Sequence, residues 1–326
     1  MPNAIVLHES GGPEVLRYET VPVESPAAGE VLVSHSAIGV NFIDTYQRSG
    51  LYPLPSFPSG LGQEAAGVVR AVGAGVRDFA PGDRVAYASG PVGAYSEERV
   101  LSAERLVELP DDVDDQQAAA SLLKGMTVEY LVQRCYRVAA GQTVLWHAAA
   151  GGVGLIACQW LAYLGVRVIG TVGTDEKAKL AARHGCTDPV VYTREDFVER
   201  VRDLTGGRGV PVVYDSVGAA TLSGSLRCLQ ARGTLVSFGN ASGKPPPLDL
   251  LELSARGSLY VTRPKLGDYT STREERVSSA RAVFEVLASG AVRATVGQRF
   301  PLEKAADAHR ALESRATTGS TLLVPR

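Results

Sequence analysis

Residues 143–154 read TVLWHAAAGGVG, and this segment decides the fold class. A short run of strand-forming residues, 144–146, is followed by small residues, a glycine cluster and an apolar helical pattern over residues 155–164. A strand, a tight turn and a helix in this order bring backbone N–H groups close to a pyrophosphate, which the positive end of the helix attracts. Ala149 stands where the first glycine of the G-x-G-x-x-G pattern would be, so the segment is the A-x-G-x-x-G variant. We therefore predict a dinucleotide-binding unit.

Length and composition set the class of protein. A chain of 326 residues exceeds one comfortable core, since domains cluster at about 100 to 150 residues, so we expect two domains. Apolar residues make up 45% and charged residues 21%, which is ordinary for a globular protein. The net charge of −2 gives no electrostatic footprint for nucleic acid or an anionic membrane, so neither is expected as a partner.

The cysteines indicate the redox compartment, and the apolar segments bear on secretion and membrane insertion. Cys135, Cys158, Cys186 and Cys228 lie far apart, so neither a zinc knuckle nor a disulfide framework is predicted. The apolar run at residues 4–7 is too short for a signal peptide, and we expect a cytoplasmic protein. Residues 148–166 carry no formal charge, but they begin with glycines between β-branched stretches, which indicates a buried strand-helix unit rather than a membrane span.

The chain changes character along its length. The first 125 or so residues read as a compact, irregular β-barrel, with strands at 4–7, 31–37, 66–72 and 83–87. From residue 143 strands alternate with helices, which implies a parallel sheet. The predicted strands after the glycine turn are 166–171, 190–192, 210–215, 234–238 and 258–262, and the predicted helices are 175–184, 197–205 and 219–230.

The tail after Pro264 is too small to form a domain alone. It contains a long amphipathic helix at 273–288, one more helix and a strand at 321–324. We expect it to fold back onto the N-terminal barrel.

Six motifs resemble the medium-chain dehydrogenase/reductase superfamily, and within it the zinc-independent, zeta-crystallin-like NADPH:quinone oxidoreductases. They are GVNFID at 39–44, Tyr46, GLYP at 50–53, GLGQEAAG at 60–67, LKGMT at 123–127 and HAAAGGVG at 147–154. The resemblance spans essentially the whole chain. It implies an α/β fold with a GroES-like catalytic domain at 1–125, a Rossmann-type NADPH-binding domain with a doubly wound parallel sheet at 126–264, and a return to the catalytic domain at 265–326.

Two departures from the zinc-dependent relatives argue against a metal. Those relatives are expected to have a cysteine where Asn41 stands and a histidine where Gln63 stands, together with a lobe of four closely spaced cysteines. A neutral amide is a poor zinc ligand, and no cluster of cysteine and histidine replaces these positions. We therefore predict hydride transfer without a metal.

The residues after the second strand of this unit favour NADPH over NADH. An NAD-preferring fold has an acidic residue about 20 positions beyond the glycine turn, whereas residues 170–174 read GTVGT. If Thr174 is a helix N-cap, Lys177 takes the third helical position, where a cation opposes the helix dipole. An anion such as the 2′-phosphate would resolve that conflict, and the resemblance implies this role for Lys177 and Tyr192. The alternative is a solvated Lys177 that forms helical pairs.

The resemblance implies further cofactor contacts along the chain. The implied residues are Asn41, Thr127, Ala150, Gly151, Gly152, Val153, Gly173, Phe238, Asn240, Arg263 and Arg315. For Arg263 and Arg315 the alternative is an ion pair at the surface. This alternative is weaker for Arg263, because a strand end fixes its position.

A quinone is already electrophilic, so positioning and a hydrogen bond to the developing oxyanion suffice for hydride transfer. We expect the quinone to lie between the domains and Asn41, Tyr46 or Tyr52 to donate to its oxygen. Each has an alternative: Asn41 with Asp44 caps a short helix, and the two tyrosines are partly buried aromatic residues. Gln63 is interpreted as structural, and His147 as a packed histidine bonded to backbone rather than a catalytic acid.

The sequence is compatible with three functions. They are quinone reduction, reduction of enoyl or alkenal substrates with the same cofactor site, and a non-catalytic structural or regulatory role with bound NADPH. The substrate is a small-molecule quinone or a related electrophile in the first two. The resemblance also implies a homodimer formed through the nucleotide domain, with residues 258–262 as the candidate edge strand.

Overall fold

Residues 1–326 are all described by the computed structural model, and the chain divides into two units. The first contains Met1–Met126, Thr270–Ala288 and Ala294–Arg326, and the second contains Thr127–Tyr269 and Ser289–Arg293. The sequence predicts domain boundaries after residues 125 and 264. In the structure the chain leaves the first unit after Met126 and returns to it after Tyr269. The later return reflects Tyr269, whose ring stacks on that of Tyr130 at 4.5 Å within the second unit.

The helices and strands are as follows, in chain order. The first half contains β1 Asn3–Leu7, β2 Arg17–Thr20, β3 Glu30–Val40, α1 Phe42–Arg48, β4 Ser59–Gly60, β5 Glu64–Val72, β6 Arg84–Ala88, β7 Glu98–Ser102, β8 Val107–Glu108, α2 Asp115–Tyr130, β9 Thr143–Trp146 and α3 Gly152–Tyr163. The second half contains β10 Arg167–Val172, α4 Asp175–Arg183, β11 Asp188–Val191, α5 Phe197–Leu204, β12 Val210–Asp215, α6 Leu222–Cys228, β13 Leu229–Ser237, α7 Leu250–Ala255, β14 Tyr260–Thr262, α8 Leu266–Tyr269, α9 Arg273–Ala288, β15 Val296–Pro301, α10 Ala305–Glu313 and β16 Ser320–Val324.

The first unit is built on β-sheets, as its alternating apolar residues predict. A seven-stranded sheet runs in the order β15-β16-β3-β5-β6-β8, with β7 also paired to β3, and a second sheet has the order β2-β1-β4. In β3, Val31 and Val33 are fully buried while Leu32 and Ser34 are partly exposed, so the first half of the strand shows the alternation expected of a sheet with one buried face. The mostly-β prediction for this part of the chain is confirmed.

The tail contributes two strands to this seven-stranded sheet. Strand β16 pairs antiparallel with β3, with Leu322 opposite Gly39, and β15 pairs parallel with β16. The prediction of a single tail strand was wrong, because it missed β15. Partly buried and exposed residues alternate along that strand, and the exposed ones are Gly297, Arg299 and Pro301. It therefore lacks the apolar run of a buried strand.

The second unit contains the predicted parallel sheet. Its six strands are all parallel in the order β11-β10-β9-β12-β13-β14. Strands β10 and β11 extend the sheet on one side of β9, and β12 to β14 extend it on the other. The order therefore reverses between β9 and β12, and ligands of such sheets bind at the carboxyl ends of the strands at this reversal.

Several element boundaries in this unit differ from the prediction, and the largest difference is in β13, which begins at Leu229 rather than at residue 234. Helix α6 begins at Leu222 rather than at residue 219, because the carboxylate of Asp215 accepts the backbone N–H groups of Val217 and Gly218 and holds a turn there. Strand β14 begins at Tyr260 rather than at residue 258, because Ser258 has a φ of 58°, outside the strand region.

Three aromatic residues of the second unit, Trp146, Tyr214 and Phe238, pack together at the end of β9. Trp146 is 1% exposed, and its ring lies 4.7 Å from that of Tyr214 and 5.6 Å from that of Phe238. Such pairs add about 0.5–1.5 kcal/mol beyond their buried area, so they fix the strand that carries the glycine turn. None of the helices has the length and hydropathy needed to span a bilayer.

Candidate functional site

The glycine turn follows β9 as predicted, and its geometry requires glycine at 154. Ala148 adopts a φ of 55°, and its carbonyl accepts the N–H of Gly151 at 3.0 Å. A Cβ on Gly154 would lie 2.4 Å from the same carbonyl oxygen, closer than any side chain tolerates. The turn is therefore tight, and α3 begins at Gly152, directly after it. Ala150, Gly151, Gly152 and Val153 all lie in this turn or in the first turn of α3.

A buried polar chain lies beneath the turn. His147 is 1% exposed, its Nδ1 lies 2.8 Å from the hydroxyl of Thr171, and its Nε2 lies 3.0 Å from that of Ser225. Ser225 in turn donates to the Asp215 carboxylate at 2.8 Å. Because Ser225 uses its hydrogen on Asp215, its oxygen accepts from Nε2–H, and Thr171 donates to Nδ1. Burial lowers the pKa of His147, although Asp215 opposes that shift.

The expectation that His147 bonds to backbone through its ring was wrong, since both ring partners are hydroxyl groups. They come from the end of β10 and from α6, so the imidazole connects three elements at the carboxyl end of the sheet. Sequence reasoning missed Thr171, Ser225 and Asp215. Only Asp215 carries a recognisable signal, an aspartate at a strand end followed by Gly218.

Residues at the end of β10 form a second small site. Thr174 is the N-cap of α4, and its hydroxyl accepts the N–H of Lys177 at 3.3 Å, which confirms the predicted cap and the third helical position of Lys177. The hydroxyl of Tyr192 lies 2.9 Å from the place where a Cβ on Gly173 would be. Gly173 and Tyr192 are therefore neighbours, and Lys177 lies in the first turn of the helix that follows Gly173. Asp175 is paired with Arg194.

Arg263 is engaged by the segment that ends β13. Its Nη1 donates to the Ser237 hydroxyl at 2.9 Å and to the Gly239 carbonyl at 3.0 Å, and its Nη2 donates to Oδ1 of Asn240 at 3.0 Å. Phe238 lies within this segment and packs on Trp146. The Arg263 guanidinium thus binds neutral groups of this segment and fixes the loop that carries Asn240.

Asn41 begins α1 in the first unit and belongs to a buried cluster. Its backbone N–H donates to Oδ2 of Asp44 at 2.8 Å, so the capping interpretation is confirmed. Its side-chain Nδ2 donates to Oε2 of Glu64 at 2.9 Å. Glu64 is fully buried and also accepts from Nζ of Lys124 at 3.2 Å and from the N–H of Leu123 at 2.7 Å. Sequence reasoning did not assign roles to Glu64 and Lys124.

The two candidate tyrosines lie together, with Tyr46 inside α1 and Tyr52 shortly after its end. Tyr46 and Tyr52 meet edge to face with ring centroids 5.4 Å apart, and the N–H of Tyr52 donates to the Tyr46 carbonyl at 3.0 Å. Tyr46 is 9% exposed and Tyr52 is 37% exposed, so Tyr52 presents more of its surface. Gln63 is buried. No group of three or more His, Cys, Asp or Glu side chains is arranged to hold a metal ion.

Comparison with known proteins gives the family. Residues 27–111 match the alcohol dehydrogenase GroES-like domain, and residues 152–276 match the zinc-binding dehydrogenase family. A quinone oxidoreductase of Pseudomonas aeruginosa is 55% identical over 97% of both chains, and quinone oxidoreductase 1 of Escherichia coli is 51% identical over 100% of both. The chain belongs to the quinone oxidoreductase family of the medium-chain dehydrogenases/reductases. The predicted resemblance and fold class are confirmed.

Solved structures of this family agree with the fold. The Escherichia coli quinone oxidoreductase complexed with NADPH superposes with a TM-score of 0.97 at 51% identity and covers 99% of this chain and 100% of its own. A 2-haloacrylate reductase of a Burkholderia species is 46% identical over 99% of both chains. Quinone oxidoreductases and a haloacrylate reductase are thus both full-length relatives.

The remaining predicted contacts are spread over both units. Thr127 lies within α2 and begins the second unit, whereas Arg315 follows α10 in the first unit with a φ of 60°. Their roles in this quinone oxidoreductase stay predictions.

Proposed function

We propose that this chain reduces quinones with NADPH and transfers the hydride without zinc. The observation that carries the proposal is the narrow glycine turn after β9, in a chain that belongs to the quinone oxidoreductases. The turn provides close backbone approach and the first N–H groups of a 12-residue helix, both suited to a pyrophosphate. Ala150, Gly151, Gly152 and Val153 would hold it.

The second small site supports NADPH rather than NADH. Lys177 places a cation in the first turn of α4, and Tyr192 lies over Gly173. That turn contains two acidic residues, and both are engaged elsewhere: Asp175 is paired with Arg194, and the Glu176 carboxylate is bonded by the Thr174 hydroxyl. A 2′-phosphate at this helix N-terminus would accept a charge-assisted hydrogen bond from Lys177. Lys177, Tyr192 and Gly173 would bind it.

The segment after β13 suits the other half of the cofactor. Arg263 fixes Ser237, Gly239 and Asn240, so Phe238 and Asn240 are held at the carboxyl end of the sheet. We extend the proposal to Thr127, Asn41 and Arg315 as further cofactor contacts. In this scheme Arg263 acts by positioning Asn240 as well as by its charge.

The chain's own groups stabilise the charge that develops on the substrate. Bound NADPH supplies the hydride. Negative charge then develops on a quinone oxygen, and a preorganised donor at that point lowers the barrier. Asn41, Tyr46 and Tyr52 are the proposed donors. The amide of Asn41 is the most rigid, because Glu64 already binds one of its two N–H groups.

Zinc is not part of this proposal. Asn41 and Gln63 offer amides, and the Asn41 amide is bound to Glu64. Glu64 is itself neutralised by Lys124 in a pair with 0% and 6% exposure. The Asn41 amide, the Glu64 carboxylate and the Lys124 ammonium bind one another. This arrangement supports hydride transfer by positioning and hydrogen bonding alone.

Substrate screening tests the proposal. We expect NADPH oxidation with simple benzoquinones and naphthoquinones at a kcat/KM at least about tenfold above that with 2-alkenals and 2-haloacrylates. The 2-haloacrylate reductase relative makes alkene reduction the second candidate. Turnover of alkenals but not of quinones would replace the proposal with that candidate. Tight NADPH binding without turnover of any electrophile would instead indicate a structural or regulatory protein.

We also propose a homodimer formed through β14. This strand lies at the edge of the parallel sheet, and Tyr260 and Val261 are 60% and 39% exposed. An exposed apolar edge strand favours pairing with a second copy. Light scattering is expected to give twice 34.4 kDa for the parent and a shift towards 34.4 kDa for Tyr260→Glu. Tyr163→Glu, at a residue 63% exposed, is the matched control and should remain dimeric; a monomeric parent chain refutes the idea.

We propose a cellular compartment for the chain from the state of its cysteine thiols. All four cysteines are free, and three are buried, which fits a reducing compartment such as the cytoplasm. A small-molecule electrophile is the only further partner that we propose beside NADPH and a second copy.

A further inference from the structure

A chain of buried polar side chains connects the C-terminal helix α10 with the first turn of α1. Nη1 of Arg48 lies 3.2 Å from Nδ1 of His309, whose Nε2 lies 3.0 Å from the hydroxyl of Tyr95. The Tyr95 hydroxyl lies 2.9 Å from Oδ2 of Asp44. All four side chains are at most 3% exposed. A polar chain of this kind is costly to bury unless each member is satisfied.

The direction of every hydrogen bond in the chain is determined from Arg48 inward. A guanidinium only donates, so Nδ1 of His309 accepts. Burial and the nearby Arg48 lower the pKa of His309 to about 3, so the ring is neutral and carries its hydrogen on Nε2. That hydrogen goes to the Tyr95 oxygen, and Tyr95 donates its own hydrogen to Asp44.

Both ends of the chain are fixed. At the outer end Arg48 binds the Glu313 carboxylate at 2.6 Å and the Gly11 carbonyl at 3.1 Å. At the inner end the oxygen of Asp44 that accepts from Tyr95 also accepts the backbone N–H of Asn41 at 2.8 Å. Asn41 is thereby held by Asp44 at its backbone and by Glu64 at its amide.

We propose that Asp44 is a positioning residue for quinone reduction: through the chain to Tyr95, His309 and Arg48 it holds Asn41 in the orientation that donates to the substrate oxygen. This inference rests on the proposed function of Asn41. It gives the returning tail a role in the reaction, because His309 and Glu313 both belong to α10.

The proposal makes activity depend on the ionisation of Asp44. Burial raises the pKa of Asp44 to about 7; Glu64 acts in the same direction, while the Asn41 N–H, Tyr95 and Lys124 oppose it. Above pH 7 the carboxylate is charged, and it then makes stronger hydrogen bonds and favours the positive end of α1. Asn41 is held more firmly in that state, so kcat should rise with pH.

The test compares pH profiles of the full-length enzyme with NADPH and a benzoquinone between pH 6 and 9. For the parent we expect kcat to rise about three- to tenfold with a midpoint near 7. Asp44→Asn keeps one acceptor oxygen but no charge, so its kcat should stay at the low-pH level of the parent throughout. Tyr95→Phe removes a group that lowers the Asp44 pKa, so its midpoint should move upward by at least half a pH unit.

Tyr87→Phe is the matched control, because Tyr87 is also buried but its hydroxyl contacts His35 rather than Asp44. Its midpoint should equal that of the parent, and NADPH dissociation constants should change less than about twofold in all variants.

A parent-like profile in Asp44→Asn, or equal midpoint shifts in the two tyrosine variants, overturns the proposal. If Asp44→Asn does not fold, the two tyrosine variants decide. If quinones are not turned over but alkenals are, the proposed function fails, and the same profiles with an alkenal still test Asp44.

Discussion

Replacing Lys177 with alanine is expected to raise the dissociation constant of NADPH by about 10- to 100-fold and that of NADH by less than about twofold. Hydrogen bonds to charged groups contribute about 1.5–3 kcal/mol, and each 1.4 kcal/mol is a factor of ten. The two cofactors differ only in the 2′-phosphate, so the ratio of the two constants isolates this contact. Fluorescence titration of the reduced cofactors measures both.

The position of Lys177 supplies an independent check of the same prediction. As the third residue of α4 it places a cation at the positive end of the helix, where it opposes the helix dipole, and alanine removes that charge and has a higher helix propensity. The cofactor-free Lys177→Ala protein should therefore be at least as stable as the parent.

Lys179→Ala is the matched control for cofactor choice. Lys179 lies two residues further along α4, so its side chain points away from the first turn, and its removal should change both dissociation constants by less than about twofold. Equal weakening of NADPH and NADH by Lys177→Ala would contradict the assignment. So would a Lys179→Ala variant that loses NADPH as strongly.

The parts of the site that sequence predicts are local ones. Thr174 and Lys177 are three residues apart, as are Asn41 and Asp44, and both caps form as expected because a helix start is encoded within one turn. The glycine turn is predicted for the same reason. The parallel sheet follows from its repeating strands and helices, whose pattern spans the second half of the chain.

The parts that sequence does not predict join residues far apart. His147 and Ser225 are 78 residues apart, Lys124 and Glu64 are 60 apart, and the Arg48 contact with His309 spans 261. Each pair meets because strand order and register bring its elements together, and no local spacing records that order. His309 stands in no pattern that distinguishes it from a surface residue, and the motifs that contain Glu64 and Lys124 do not record that these two side chains meet.

The buried pair of Lys124 and Glu64 gives the largest expected effect on stability. Glu64 is fully buried, and its Oε2 lies so close to Gly39 that a Cβ there would be 2.2 Å away. The carboxylate also accepts from the Asn41 amide and from the N–H of Leu123, and these bonds keep it in the interior when its cation is removed. Lys124→Met is expected to lower the free energy of unfolding by about 3–5 kcal/mol, because it leaves an uncompensated charge in the interior. Urea denaturation followed by circular dichroism measures this loss.

A second substitution separates charge from packing. When Lys124→Met is combined with Glu64→Gln, neither position of the pair carries a charge, and the amide oxygen of the new side chain still accepts from the N–H of Leu123, so we expect the double variant to recover at least half of the loss. The exposed pair of Lys265 and Asp268 is the matched control, since its ion pair is also 3.2 Å long but 74% and 65% exposed. Lys265→Met should cost less than about 1 kcal/mol. If Lys124→Met costs no more than Lys265→Met, the charge of Glu64 is relieved by solvent or by a proton, and the pair does not hold the Asn41 amide in place.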